Sequence, residues 1–404
     1  MANQAASIGA RIRYWRHRNG GRSQAAIAGL CGITEDYLSQ IERGRKTPAL
    51  DVLLALAREI GVPITALLEE QAPATPEETP TVAPDVAAVL MGYRTPPPTA
   101  AANPASLRER VETAWRSWQT SPNRFTEAAA ILPGLLADVE YAVSSHREAA
   151  DASARRDILR TAADLYGLLR SYCRRTGRHD LSLLVADRAL RAAEDADDPL
   201  RIAAAQWNLG HVLLAAEPEG AEQVATLAIE HLATTPQTTE SRALAGALGL
   251  VTVTAAARRR DWWTARERLE RIDQDGSRLG EGNAYWTVFG PTNIELHGLS
   301  IEMLAGQATD GLRRADSIDI SRVPSLERQF TFTLEVACCY DLRQEDAAVL
   351  VHLLDLEQFA PEDLVHNAGA RRLVARLRAR ARPTYRRQIE ALAERISLDH
   401  HPDQ

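Results

Sequence analysis

Two glutamines near the start of the chain, Gln24 and Gln40, carry amides that can pair bidentately with an adenine edge, and Gln24 can instead clamp a phosphate. Around them stand Ser23, Thr34, Tyr37 and Ser39, whose hydroxyls can donate to phosphate oxygens. Arg43, Arg45 and Lys46 follow in the run RGRK and bring positive charge to a polyanion. Glu35 and Asp36 do not suit that surface. Either one accepts from a cytosine amino group, or both favour the positive N-terminus of a helix.

Nothing comparable points to catalysis. The chain has no GxGxxG, no GKS/GKT phosphate loop, no HExxH and no GxSxG, so no enzyme and no cofactor is expected. The four cysteines, Cys31, Cys173, Cys338 and Cys339, lack metal-ligand spacing and read as reduced thiols; no metal site is expected.

For those polar groups to act together, short helices must hold them. Ser23 and Thr34 are natural N-caps. Gly32 falls in the tight turn between two helices. Ala26, Ile27 and Leu30 make one apolar stripe, and Ile33, Leu38 and Ile41 the next. Glu35, Asp36, Ser39, Gln40 and Arg43 are left pointing outward. Two such helices across a glycine turn form a helix-turn-helix, whose second helix enters the major groove.

The flanks agree. IGARIRYWRHR makes a first helix, and ALDVLLALAREIGVPITALLEE a fourth and fifth. Through R…SQ…IA…GIT…YLS.IERG…P…L..LA..IGV, residues 7–69 resemble the Cro/CI-type (XRE) helix-turn-helix family. The resemblance implies double-stranded DNA as a partner and a structural ion pair between Arg16 and Glu42. One departure is GGRSQ before the second helix, with an extra residue and Arg22 at a position that is usually apolar.

At 404 residues the chain is too long for one ordinary core. Its formal net charge is −7, of which residues 1–70 hold nine basic and seven acidic residues, so the head is mildly basic on an acidic body. Lys46 is the sole lysine among 47 basic residues, so arginine counts alone carry little information. No signal core and no membrane-spanning run is evident, and a soluble, cytoplasmic protein is expected.

Prolines crowd residues 71–104, which reads as a linker with one short amphipathic insert, DVAAVLMGY (Asp85–Tyr93), able to dock on a neighbour. Residues 105–404 read as helix after helix, among them Tyr285–Ala305 and Glu362–Arg380. First helices of successive pairs begin near residues 158, 199, 240, 286, 325 and 363, a period typical of an α-solenoid. The expected fold is therefore all-α: a five-helix helix-turn-helix domain at 1–70, a Pro-rich linker at 71–104 and a helical-repeat domain at 105–404.

QWNLGHVLLAAEPEGAEQVATLAIEHLATTP and VTAAARRRDWWTARERLERI resemble tetratricopeptide repeats, with Leu209-Gly210 and Ala265 at that family's positions and Trp207 one place off. The combination of the two parts resembles the Rgg/PlcR/PrgX group. That resemblance implies a homodimer whose solenoid senses a short peptide or small molecule, gripped by Asn side chains on first helices. Asn208 and Asn293 occupy such positions, with His211 and His297 nearly on the same faces. The bland alternative is that both Asn bridge neighbouring helices. The Arg-rich run Arg371–Arg387 is read as a capping helix facing solvent or acidic neighbours. The whole reads as a sequence-specific transcriptional regulator. The rival reading is a DNA-tethered adaptor whose solenoid recruits a protein.

Overall fold

The computed structural model describes residues 8–18, 22–68, 84–93, 103–146, 151–276 and 278–396. The chain forms two compact units, Met1–Thr79 and Pro80–Gln404. Among the described residues every regular element is helical, as expected.

The first unit holds α1 (Ile8–Arg18), α2 (Gln24–Leu30), α3 (Glu35–Glu42), α4 (Leu50–Ile60) and α5 (Ile64–Leu68). Its core joins Ile12, Ile27, Leu38, Ile41, Leu56 and Leu67, one or two residues from each helix. Gly9 lets α1 cross α3 closely: a Cβ there would lie 1.8 Å from the Ile41 carbonyl oxygen. Gly32 takes φ +68° in the turn between α2 and α3, where an L side chain would be strained.

The expected stripe on α2 is corrected. Ile27 is buried, but Ala26 and Leu30 are exposed, and Ala28 takes the inner place. The face turned to the core is Gln24, Ile27, Ala28 and Cys31, the i, i+3, i+4 set of a helix that starts right after Ser23.

Most of the proline-rich stretch lies outside the described residues. Within it α6 (Pro84–Leu90) packs on the second unit, with Val86, Val89 and Leu90 buried in its core beside α8.

The second unit is a two-layer array. Its inner helices are α7 (Pro104–Thr120), α9 (Ala152–Arg175), α11 (Pro199–Leu213), α13 (Thr239–Arg258), α15 (Pro291–Leu304) and α17 (Leu326–Leu342). Each packs on an outer partner: α8 (Arg124–Ser145), α10 (His179–Asp195), α12 (Pro218–Ala233), α14 (Trp262–Gly276), α16 (Ala308–Ala315) or α18 (Asp346–Phe359). Each inner helix also packs on the next inner helix, as a helical-repeat solenoid requires. α19 (Pro361–His366), α20 (Ala368–Arg380) and α21 (Pro383–Arg395) cap the far end.

One contact makes this array unlike an open solenoid. α17 packs back on α7, so the six inner helices close into a ring. Polar contacts of very long sequence separation lock the closure. The Arg124 guanidinium grips Asp363 through two nitrogens, Nε at 2.9 Å, and both side chains are buried. The Phe125 amide donates to Glu362 at 2.6 Å, and the Phe125 ring stacks on His366 with centroids 4.0 Å apart. Arg175 on α9 pairs with Glu327 on α17.

Two expected helices are corrected. Tyr285–Ala305 is not one helix: α15 starts at Pro291, and residues 278–290 form a strap before it. The Gly290-Pro291 step is the physical reason, since proline suits the first helical position and disfavours a helical residue before it. In the strap Tyr285, Trp286 and Val288 all take positive φ, at 50°, 64° and 52°. Glu362–Arg380 divides at Asn367, whose side chain caps α20 by accepting from the Ala370 amide at 3.0 Å.

Candidate nucleic-acid interface and interior cleft

In the first unit, Ser23 Oγ accepts from the Ala26 amide and Thr34 Oγ1 from the Tyr37 amide, each at 3.2 Å, so both cap as expected. Behind them lies the Arg16–Glu42 pair: Arg16 Nε is 2.8 Å from Oε1 and Nη2 is 3.0 Å from Oε2. Both side chains are almost fully buried. Arg16 Nη1 also donates to the Arg22 carbonyl at 2.6 Å, which ties Arg22 to α1. Gln24 joins this group, its Nε2 donating to Glu42 Oε2 at 2.6 Å. In this state the Gln24 amide nitrogen faces the pair, and its remaining polar atom is the carbonyl oxygen.

The outward face of α3 carries Glu35, Asp36, Ser39, Gln40 and, just beyond, Arg43. Two side-chain hydrogen bonds run along this row. Gln40 Nε2 donates to Asp36 Oδ2 at 2.6 Å, and Arg43 Nη2 donates to Ser39 Oγ at 2.7 Å. Lys46 Nζ sits over the Tyr37 ring at 5.3 Å. Arg45 and Lys46 are exposed in the turn that follows. Residues 7–71 match the family described as helix-turn-helix domain. The first unit is a helix-turn-helix domain. The helix that such a domain lays in the major groove is α3, and its outward face is a row of groups able to read base edges or hold phosphates.

No curated protein matches the chain. Among solved structures, Bacillus thuringiensis PlcR in complex with the peptide PapR7 and DNA is 10% identical, with a TM-score of 0.27 over 86% of this chain and 99% of that one. The apo form of ComR from S. Thermophilus is 15% identical, with a TM-score of 0.27 over 89% of this chain and 97% of that one. Similarity at this level carries no functional inference.

The second unit places the other expected residues inside the ring. Asn208 is buried on α11. Its Oδ1 accepts from Arg170 Nε at 2.8 Å and also from Nη2, while its Nδ2 donates to the Ala204 carbonyl at 3.0 Å. It therefore bridges α9 and α11. His211, one turn on, packs edge-on against Trp207 with centroids 4.4 Å apart. Burial and the nearby Arg170 and Arg174 hold its imidazole neutral, well below the usual histidine range. Asn293 is buried on α15, and its Oδ1 has no hydrogen-bond partner among the described residues. His297 Nδ1 lies 2.7 Å from the Asn293 carbonyl, so that nitrogen carries the proton; burial pushes this histidine down to about 3.

A narrow cavity of about 40 Å³ lies within the ring, between α7, α9, α11, α17 and the strap. Trp286 of the strap stacks on Trp115 of α7, with centroids 5.4 Å apart and planes 4° from parallel. Gln119 holds the strap from below: its Nε2 donates to the Trp286 carbonyl at 3.1 Å, and its Oε1 accepts from Asn283 Nδ2 at 2.7 Å. Asn208 and His211 border this region together with residues that sequence reasoning missed: Arg170, Arg174, Trp115, Trp286 and Arg328. The spacing of Arg170 and Arg174 along α9, in register with Asn208 on the next inner helix, was the available signal. Asn293 and His297 do not line that cavity.

The Arg-rich C-terminal run turns several of its charges inward. Arg376 pairs with Asp341 at 2.8 Å and Arg380 with Asp346 at 2.7 Å. Among the described residues no His/Cys/Asp/Glu group could hold a metal ion, and no helix is long and apolar enough to cross a membrane. Burial raises the Cys173 and Cys339 thiols to about 12, so neither is a nucleophile.

Proposed function

We propose that this chain is a sequence-specific, DNA-binding transcriptional regulator of the cytoplasm that works as a homodimer. The α3 face of the helix-turn-helix domain carries this reading, because it presents Gln40, Ser39 and Arg43 outward while the apolar residues of the same helix are buried. One small head makes few base contacts, so tight specific binding calls for two heads. Ser23, Thr34, Tyr37, Arg45 and Lys46 hold phosphates, Gln40 reads a base, and Glu35 and Asp36 face the helix N-terminus or a cytosine. Footprinting on genomic fragments should find two related half-sites a whole number of helical turns apart, about 10 bp or a multiple. A monomer on a single, unrepeated half-site would refute it.

The body is proposed as the sensor for a small molecule or short peptide. The narrow cleft near Asn208, bordered by Arg170, Arg174 and Arg328, supports that role over protein recruitment. The adaptor reading draws on a different feature, a groove of about 490 Å³ bordered by Leu312, Phe332, Val336, Tyr340 and Phe359. Operator binding that responds to small-molecule extract but not to protein fractions decides between them.

A further inference from the structure

The ring interior has more positive charge than its own carboxylates can satisfy. Arg124 is consumed by Asp363. Glu327 is shared by three guanidinium groups: Arg175 pairs with it directly, and Arg174 and Arg124 lie at 3.5 and 3.6 Å. Burial opposes ionisation of that carboxyl, yet Arg175, Arg124 and Arg174 together hold it well below the usual range.

Arg170 is buried with a neutral amide, Asn208, as its hydrogen-bond acceptor. The guanidinium of Arg328, half-buried on α17, makes no hydrogen bond or close ion pair among the described residues, with Glu327 and Glu335 the carboxylates that act on it. The Nε atoms of Arg174 and Arg175 are buried without an acceptor. Glu335, the other carboxylate near Arg328, is turned to the Ser300 hydroxyl at 2.7 Å.

An uncompensated buried cation is costly, and a fold keeps several together only against other gains. The cost shows in the groups themselves. Burial, then the neighbouring arginines, pulls Arg170 down to about 9 and Arg174 to about 10. His211 and His297 are neutral here and add no charge. Arg170, Arg174 and Arg328 all border the cavity, as do Trp115, Trp207 and Trp286. Its volume of about 40 Å³ admits an acidic group but not the whole of a ligand. A guanidinium fork suits carboxylate and phosphate oxygens above other acceptors.

We infer that the ring interior is a receptor for the acidic end of a small ligand, a carboxylate or a phosphate monoester, seated by Arg170, Arg174 and Arg328. The inference rests on the sensing reading and names its ligand class. Two sources share that chemistry: the free C-terminus of a short peptide and the phosphate of a nucleotide-like metabolite.

The test titrates the full-length protein by calorimetry with matched probes: N-acetyl-phenylalanine against its amide, adenosine monophosphate against adenosine, and inorganic phosphate. An acid should bind at least about tenfold more tightly than its neutral counterpart, and the pair that shows this identifies the source. Arg328→Gln and Arg174→Gln should each weaken that acid about tenfold or more, with Arg328→Lys in between because it keeps charge without the fork. Arg328→Gln should also leave the unliganded melting temperature unchanged or raised. An arginine needed for structure would lower it, which is the readout that separates the two roles.

Equal binding of acid and neutral probes, an inert set of probes, or an Arg328→Gln protein that binds the acid normally would each overturn the inference. Operator affinity separates it from the sensing reading. An acid that binds through these arginines without changing operator affinity leaves the receptor and removes the sensor. An uncharged extract fraction that shifts operator affinity equally in wild type and Arg328→Gln leaves the sensor and removes the acidic ligand.

Discussion

Replacing Glu42 with alanine should unfold or loosen the helix-turn-helix domain without removing any DNA contact. Glu42 accepts three hydrogen bonds, two from Arg16 and one from Gln24, within a nearly dry pocket. Alanine leaves the Arg16 cation buried with only the Arg22 carbonyl and a contact to the His17 ring. Breaking a buried pair from one side costs roughly 3–5 kcal/mol. A domain of this size has only about 5–10 kcal/mol to lose and shifts its Tm by about 4–8 °C per kcal/mol, so the head transition should fall by more than about 10 °C. Calorimetry on the full-length protein, with hydrogen exchange on α1 to assign the transition, measures it. Glu42→Gln, which keeps the shape and part of the bonding, should lose less. A Glu42→Ala protein with wild-type melting and exchange, yet no DNA binding, would show that Glu42 meets the operator, and the structural role argued for it would be wrong.

Gln40→Ala should cost about 1–3 kcal/mol on the cognate base and flatten the ranking of operator variants, while Arg43→Ala should weaken all sequences alike and reduce the salt slope of binding. Asp36→Ala frees the Gln40 amide and removes a negative charge from the DNA-facing row, so it should tighten binding to all sequences at low salt, as a filter-binding or anisotropy series would show. Gly9→Ala drives a methyl into the Ile41 carbonyl and should lower head stability by about 1–3 kcal/mol in denaturant titrations. Burial raises the Glu335 carboxyl to about 7, against pulls from Ser300 and Arg328. The folded state therefore prefers the protonated form: its contribution is full below about pH 4.5 and is lost as the pH rises through 7. Body stability should fall by roughly 1–3 kcal/mol across that window in wild type, and Glu335→Gln should abolish that part of the decline.

Much of the head was legible because its constraints are local. Caps at Ser23 and Thr34, the turn at Gly32 and the polar row on α3 depend on residues a few places apart. The inner face of α2 was misread because the helix starts at Gln24, and the i, i+3, i+4 set counted from there passes through Ala28, not Leu30. In the body, helix periodicity placed the repeats: the starts expected near 158, 199, 240, 286 and 325 lie close to inner helices that begin at residues 152, 199, 239, 291 and 326, whereas the start expected near 363 falls in α19, which packs on α18 and α20 instead of extending the inner layer. What stayed hidden was closure. Arg124 and Asp363 are ordinary surface-type residues in their own segments, and nothing local says that they meet across 239 positions. The strap was hidden for a related reason: its residues look helical in composition, and only tertiary packing, Trp286 on Trp115 of α7 and Tyr285 beside Arg201 of α11, accompanies the positive φ of Tyr285, Trp286 and Val288.

The contact of α17 with α7 changes how the body must be made and unmade. In an open repeat array each unit leans only on its neighbours, so the array can fray from an end or be shortened with graded loss. Here the six inner helices offer no free end to fray from, and only the capping helices α20 and α21 lie outside the closure. The last inner helix supports the first, and removing either withdraws a neighbour from both sides of the seam. The seam also falls late in synthesis. Glu327, Glu362 and Asp363 must emerge before Arg124, Phe125 and Arg175 find their partners, so the nascent body carries a bare cationic interior through most of its translation. Final locking is then a single event of very high contact order, the slow kind of step.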